Sequence, residues 1–266
     1  MLPVGSNSTI RLQSMRHSPT TLSTPSRLAA AICIVLASPL FHLTAPASAQ
    51  EYVGRYSVYA GYMFLNTPRL NLFQPGYHFE AGMRVSRRLS VGLDYSRGRG
   101  DTALTPDLAT TALQEQLSSY IDPLKAAGIL PADYVPVLPL TSLTQTFTAG
   151  PQFPYRRFNR VTLFIRPAIG LIYEKATGYP TDFITRVLMA QIAPSGKKND
   201  RTMFYGVGGG VALNFSKHFS LLVQADYVHD HLFDDLLKDG RRTLRFSVGP
   251  GFQFGKNVPR PQPRSR

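Results

Sequence analysis

Glu80, Asp94, Asp226, Arg166 and Arg245 are the residues of this chain with the most chemistry to offer. Three carboxylates and two guanidiniums form an ion-pair cluster when they meet away from water. A buried ion persists only when it is paired and hydrogen-bonded, because desolvating it is costly. Arginine suits such a cluster, since its planar fork can serve two carboxylates at once. Arg84 stands below the five along the chain's apparent layers, and Glu174 above them.

Other candidates are weaker. His229-Asp230-His231 with Asp234 and Asp235 could hold a cation, but nothing in the sequence supplies a closed ligand geometry, and a solvated loop explains them as well. No metal site is expected. Arg99-Gly100-Asp101 has the form of an adhesion tripeptide at the start of a loop, a pattern short enough to arise by chance. The single cysteine, Cys33, falls in a segment expected to be removed, so neither a disulfide framework nor a cysteine-ligated metal is expected.

The elements that position the five charges are strands. Tyr77, Phe79, Ala81, Met83 and Val85 alternate with His78, Glu80, Gly82 and Arg84. The same alternation recurs at 89–96, 203–215, 220–227 and 244–254, and less cleanly at 55–65, 144–155 and 161–174. Period-two alternation means a strand with one apolar and one polar face. All five charges fall on the polar face. Counted from the nearest short turn, or from Phe254 in the last strand, they lie about six to nine residues along, near one height.

Connections supply a second signal. Residues 86–88, 156–160 and 216–218 are short links; residues 66–76, 99–143, 176–201 and 230–242 are longer. Short and long alternate, as in a barrel whose short turns face the periplasm and whose loops face outward. Within the loops, residues 105–127 predict a helix with Thr105 as its cap, Pro106 in its first turn and Pro123 kinking or ending it. Its apolar stripe is Leu113, Leu117, Tyr120, Ile121 and Leu124. A second stripe comprises Phe183, Ile184, Val187, Leu188 and Ile192. These stripes could lie on the outer leaflet, cap the barrel, bind a partner or pack on each other.

Composition agrees. The 266 residues are 17% charged and 43% hydrophobic, with 16 Phe, 13 Tyr and 21 each of Gly and Pro. That favours a turn-rich β protein over a bundle of spanning helices. The net charge of +13 gathers in short turns and at the C-terminus, not along one helix face, so nucleic acid is not expected as a partner. Residues 28–43 form an apolar run preceded by Arg16 and Arg27 and followed by Ala47-Ser48-Ala49. These are the parts of a cleavable signal peptide over residues 1–49. The long stretch before the run points to Met15 as the true start. A barrel over residues 50–255 and a basic, Pro-rich periplasmic tail over 256–266 would follow.

Alternation alone does not say which face meets the outside. The polar face is crowded with Gly82, Gly92, Gly170, Gly206, Gly208, Gly210, Gly249 and Gly251. Small residues suit the tight interior of an eight-stranded barrel, which its own side chains fill. The opposite face is bulky and aromatic, as a lipid-facing band should be. Only a closed barrel lets strands span lipid with every backbone group satisfied. The expected fold is therefore all-β: an eight-stranded antiparallel up-and-down transmembrane barrel with two long, partly helical extracellular loops.

On these features the chain resembles the OmpA-type and OmpX-type outer-membrane barrels over about residues 52–254. The resemblance rests also on the last strand, where Ser247, Gly249, Phe252 and Phe254 match the family's polar-x-Gly-x-x-aromatic-x-aromatic assembly signal. It implies a monomer with a charged, hydrogen-bonded interior, and it implies the barrel assembly machinery, outer-membrane lipid and lipopolysaccharide as partners. The chain departs from the family in the residues after Phe254, which are too short for a peptidoglycan-binding domain. Pro151, Pro167 and Pro250 sit inside strands and imply local defects there.

The expected function is that of a structural or surface barrel, plugged by Glu80, Arg84, Asp94, Arg166, Asp226 and Arg245, with loops for adhesion or envelope contacts. No cofactor and no catalytic residue are expected. Two alternatives stay open. A lipid-modifying enzyme of the outer membrane would need a nucleophile beside an outward histidine. His229 has the right height, but the sixth and eighth strands offer no outward serine near it. A soluble periplasmic carrier barrel would turn its apolar face inward.

Overall fold

The computed structural model describes residues 52–158 and 160–259. The signal-peptide segment and residues 260–266 of the tail lie outside the described residues. Eight strands close into one barrel in the order of the chain. They are β1 (Gly54–Thr67), β2 (Leu72–Arg84), β3 (Ser90–Leu104) and β4 (Leu138–Tyr155), then β5 (Val161–Gly178), β6 (Lys197–Asn214), β7 (Phe219–Asp230) and β8 (Arg241–Asn257). Every neighbouring pair is antiparallel, and β1 closes on β8 with Tyr56 opposite Phe254. No helix of the described residues is long and apolar enough to cross a membrane.

The two faces have the inverted polarity of a barrel in lipid. Along β5, Leu163, Ile165, Ile169 and Leu171 point outward and are exposed, while Phe164, Arg166, Ala168 and Ile172 are buried. The same holds for exposed Tyr205 and Val207 on β6 and Phe79 and Leu93 on β2 and β3. Inside lie Gln74, His78, Asp94, Gln224, Asp226 and Arg245, each at most 5% exposed. An isolated apolar surface of this extent is sustained by hydrocarbon rather than by water. The carrier alternative, which requires an inward apolar face, fails on this point. Glycine makes the interior possible at a few positions. A Cβ on Gly208 would lie 1.7 Å from the Asp226 carboxylate, and one on Gly210 would lie 2.7 Å from the Phe164 ring.

The prolines mark defects in the ladders. Pairing of β4 with β5 skips from Thr148–Gly170 to Phe153–Ile165, the stretch that holds Pro151 and Pro167. Pairing of β1 with β8 skips from Tyr59–Gly251 to Tyr62–Val248, beside Pro250. A missing N–H removes a rung, and the strands tolerate it because their other edges stay paired.

Two expectations about connections need correction. The first loop is not 66–76 but residues 68–71, a 3-10 turn over Pro68–Leu70 closed by Asn71 in the left-handed region at φ 46°. Short and long connections therefore do not alternate throughout. Pro75 and Gly76, which look like turn residues, lie within β2 opposite Phe64 and Met63. At the other end, β8 runs past the terminal aromatic to Asn257, and the Val258 N–H donates to the Val53 carbonyl at 2.9 Å. The barrel thus ends beyond residue 255.

The loops are helical as expected, with different details. After a 3-10 turn at Pro106–Leu108, helix α1 covers Thr111–Ala126, so its cap position is Thr110 and not Thr105. Neither threonine side chain makes a capping bond. Pro123 lies within the last turn and does not end the helix. Helix α2 covers Phe183–Ile192 with a full capping box: Asp182 accepts from the Thr185 N–H at 2.7 Å, and Thr185 Oγ1 accepts from the Asp182 N–H at 3.1 Å. Leu113, Leu117 and Ile121 of α1 share one apolar cluster with Leu188 of α2, joined by Ile184, Ile192 and Leu236. The two loops pack on each other. Phe183 and Val187 face solvent, and Thr185 and Met189 are buried in their stead. The inner side of α2 is fixed by the strand ends below it, where Met189 packs with Leu138 and Ala193.

Candidate functional site: the charged interior

Arg166 on β5 and Arg245 on β8 meet at mid-barrel. Arg166 Nε and Nη2 donate side by side to the two oxygens of Asp226 on β7, each at 3.0 Å. Its Nη2 also lies 2.8 Å from Asp94 Oδ2 on β3, and its Nη1 donates to Glu80 Oε2 on β2 at 3.3 Å. Arg245 completes the ring, with Nη2 2.7 Å from Asp226 Oδ2 and Nη1 3.1 Å from Asp94 Oδ1. Neutral groups satisfy what remains. Gln224 donates to Asp226 at 2.9 Å, Gln152 donates to Glu80 at 2.6 Å, and Thr146 accepts from Arg245 at 3.1 Å. Strands from opposite sides of the barrel thus converge on one layer. Five of the six residues expected in the network, Glu80, Asp94, Arg166, Asp226 and Arg245, come together there.

Arg84 does not. Its guanidinium turns to the Gly54 carbonyl at the end where the chain enters β1. Arg84 lies four residues from Glu80 on the same strand, about 13 Å at the rise of a strand, so the two cannot share a layer.

A second layer sits above the first. Arg241 Nη1 lies 2.7 Å from Glu174 Oε2, and its Nε lies 2.9 Å from Asp230 Oδ1. Ser142 and Thr144 donate to Glu174 at 2.6 and 3.0 Å. Sequence reasoning placed Glu174 here but missed Arg241 and Asp230, which it left in a loop. The signal was present, because Asp226, Val228 and Asp230 share one parity, as do Arg241, Thr243 and Arg245.

His78 is fully buried between the layers and the β1 wall. Its Nδ1 is 3.0 Å from Ser247 Oγ, and its Nε2 is 3.7 Å from Asp94 Oδ1. His78, Glu80 and Asp94 could each bring one ligand atom within 4.8 Å of the others. Both carboxylates there already face guanidiniums, so the donor set is committed to ion pairs.

The remaining sequence candidates are dispersed. Asp230 points inward to Arg241, His229 points outward against the Tyr205 ring at 5.5 Å, and Asp235 pairs with Lys198. Asp234 lies 3.4 Å from His231. The His229 and His231 rings do meet, at 4.8 Å, but among the described residues no three of these side chains bring ligand atoms together as a metal site requires. Arg99-Gly100-Asp101 is not at a loop start but within β3, paired with Leu143, Ser142 and Thr141 of β4. Asp101 accepts from Thr141 at 2.6 Å, and a rung of sheet cannot present itself as a loop tip.

The profile of the family described as outer membrane protein beta-barrel domain matches residues 33–254. The chain belongs to that family. It is an OmpA/OmpX-type barrel of the bacterial outer membrane. Barrels of this kind turn short connections to the periplasm and longer loops outside. Among solved structures it is similar to Ail, the attachment invasion locus protein of Yersinia pestis, at 14% identity and a TM-score of 0.40. That alignment covers 75% of this chain and 96% of Ail. It is similar to Neisserial surface protein A at 12% identity and a TM-score of 0.43, over 75% and 96% of the two chains. It is similar to OprG from Pseudomonas aeruginosa at 9% identity and 0.46, over 78% and 99%. No curated protein matches the chain.

In this outer-membrane barrel the residues of the expected assembly signal divide between the two faces. Ser247 is buried against His78, whereas Phe252 and Phe254 are exposed outward with ring centroids 5.9 Å apart. Phe254 also meets Tyr56 of β1 across the closing seam at 5.6 Å. Gly249 lies on the seam between β8 and β1; a Cβ there would fall 2.4 Å from the Ala60 carbonyl oxygen.

Proposed function

We propose that the protein is a non-conducting surface barrel, held shut by its two charged layers, that presents a packed helical cap outside the cell. The observation that carries this reading is the mid-barrel ring, in which Arg166 and Arg245 bridge carboxylates from β2, β3 and β7. An ion or solute moving along the axis would have to separate charge pairs in a medium of low dielectric, where they hold strongly.

The cap is the part able to meet a partner. Leu188 of α2 joins the α1 cluster, and Tyr134 donates to Asp182 at 3.0 Å, so the two loops act as one body. Phe183, Val187 and Tyr120 stay exposed on it. Adhesive or envelope contacts through this apolar, rigid surface fit better than catalysis. His229 has Tyr205 and Arg242 as its partners in register, and neither is the serine that a serine–histidine pair would need. Lipid and lipopolysaccharide would surround the aromatic outer face, and Phe252 and Phe254 would address the assembly machinery.

Conductance across planar bilayers tests the plug. The wild type is expected to give no stable channel steps, and a variant that empties the ring (Arg166→Ala with Arg245→Ala and Asp226→Ala) is expected to leak. Steady ohmic channels in the wild type would overturn the reading.

A further inference from the structure

At the periplasmic end of the interior, below the mid-barrel ring, lies a cavity of ≈ 80 Å³. That is room for several water molecules. Arg84, the last residue of β2, and Arg156, the first after β4, both line it, with Ser57, Ser90, Asn214 and Gln253 around them. The two guanidiniums donate to backbone carbonyls, Arg84 to Gly54 and Arg156 to Arg87. Each has five N–H donors, so these bonds use a fraction of the capacity. The one acid on the cavity wall is Glu80, which pairs with Arg166 above, accepts from Gln152 on the same wall and leaves one carboxylate to two guanidiniums, Arg84 and Arg156.

Two more observations point the same way. Gln253 is 4% exposed, and its Nε2 donor has no hydrogen-bond partner. Arg156 is also held down to a pKa of about 9, first by burial and then by repulsion from Arg84 and Arg87. Two like charges side by side in a part-buried site are unfavourable, and Glu80 is the one acid on this wall to answer them. Nothing in the ring above needs them.

We propose that this periplasmic mouth is a binding site for a phosphate-class oxyanion, gripped by Arg84 and Arg156 with Gln253 as a buried third donor. Guanidinium forks match a tetrahedral oxyanion bidentately, and a charge-assisted bond is about twice as strong as a neutral one. The mouth opens to the periplasm and is closed above by the ring, so the site binds and does not conduct. The anion could be free phosphate or a phosphate carried by a larger periplasmic molecule.

Calorimetry on the folded barrel in an uncharged maltoside detergent, at constant ionic strength in chloride, tests this with inorganic phosphate. One saturable site is expected in the millimolar range. Arg156→Gln and Gln253→Leu are expected to weaken it roughly tenfold or more, while Arg242→Gln on the outer face leaves it unchanged. Phosphate should also raise the unfolding temperature of the wild type and not that of Arg156→Gln. That comparison separates binding from a folding defect, and a heat-dependent gel shift confirms each variant is folded. Glycerol phosphate, titrated in parallel, distinguishes the sources: equal or tighter binding means a carried phosphate, weaker binding the free ion. No saturable heat up to about 50 mM phosphate, or equal affinity in wild type and Arg156→Gln, would overturn the proposal.

Discussion

Replacing Arg245 with Met removes one guanidinium from the mid-barrel ring with little change of length. Arg245 is 2% exposed and touches two carboxylates, Asp226 at 2.7 Å and Asp94 at 3.1 Å. At an effective dielectric near 20, each contact is a gross attraction of about 5 kcal/mol. The desolvation of the buried guanidinium offsets several kcal/mol of the total. The variant also leaves Asp94 and Asp226 sharing Arg166 alone, with Glu80 drawing on the same fork. The net loss is expected at about 3–5 kcal/mol, the range for breaking one side of a buried pair. Urea unfolding of the barrel in lipid vesicles, followed by the heat-sensitive gel mobility, measures it. A double variant, Arg245→Met with Asp94→Asn, should recover part of the loss, because it removes one of the stranded charges. A loss below about 1 kcal/mol, or strictly additive single and double losses, would refute the reasoning.

Three further outcomes follow from the loops and the seam. Asp182→Ala removes the α2 cap and should cost that helix about 1 kcal/mol, seen as faster proteolysis around residues 183–192 with the barrel intact. The Tyr134–Asp182 pair should give the cap a bounded pH range, followed by the same proteolysis. Burial, and then the bond to Asp182, push the Tyr134 phenol up to about 12. Its contribution is therefore full below pH 10 and is lost as pH rises through 12. Asp182 lies below the usual carboxylate range: burial acts against this, and hydrogen bonds from Thr185 and Tyr134 overcome it. Its contribution is present above about pH 4 and is lost as pH falls through the depressed value. Gly249→Ala should strain the β1–β8 seam by roughly 1–3 kcal/mol and reduce the yield of folded barrel on gels.

The strands and the mid-barrel ring were legible because lipid outside and a packed polar interior inside label alternate residues. The labels fade where the strands leave the membrane. Arg97, Arg99 and Asp101 of β3 and Lys197, Asn199 and Arg201 of β6 put polar side chains on the outer face, so the alternation is lost there and these stretches read as loop. That is why Asp230 and Arg241, beside outward His229 and Arg242, escaped notice; Pro75-Gly76 passed for a turn on its residue types, although outward Phe73 and Tyr77 flank it. Arg84 lies below the ring, where counting from the short turns put it; only its membership of the ion-pair network fails, because the ring fills one height. The loop stripes were half right, since 3.6-residue periodicity finds an apolar face on α2 but not which neighbour buries it.

The inverted barrel itself is tested most directly by single cysteines along β5, each carrying a fluorophore, in vesicles with and without brominated lipid. The natural cysteine, Cys33, lies ahead of the barrel and does not interfere in a chain that starts at residue 50. Labels at 163, 165, 169 and 171 should be quenched by the lipid, and labels at 164, 168 and 172 should not. Quenching at the second set in place of the first, or at neither, would contradict the account.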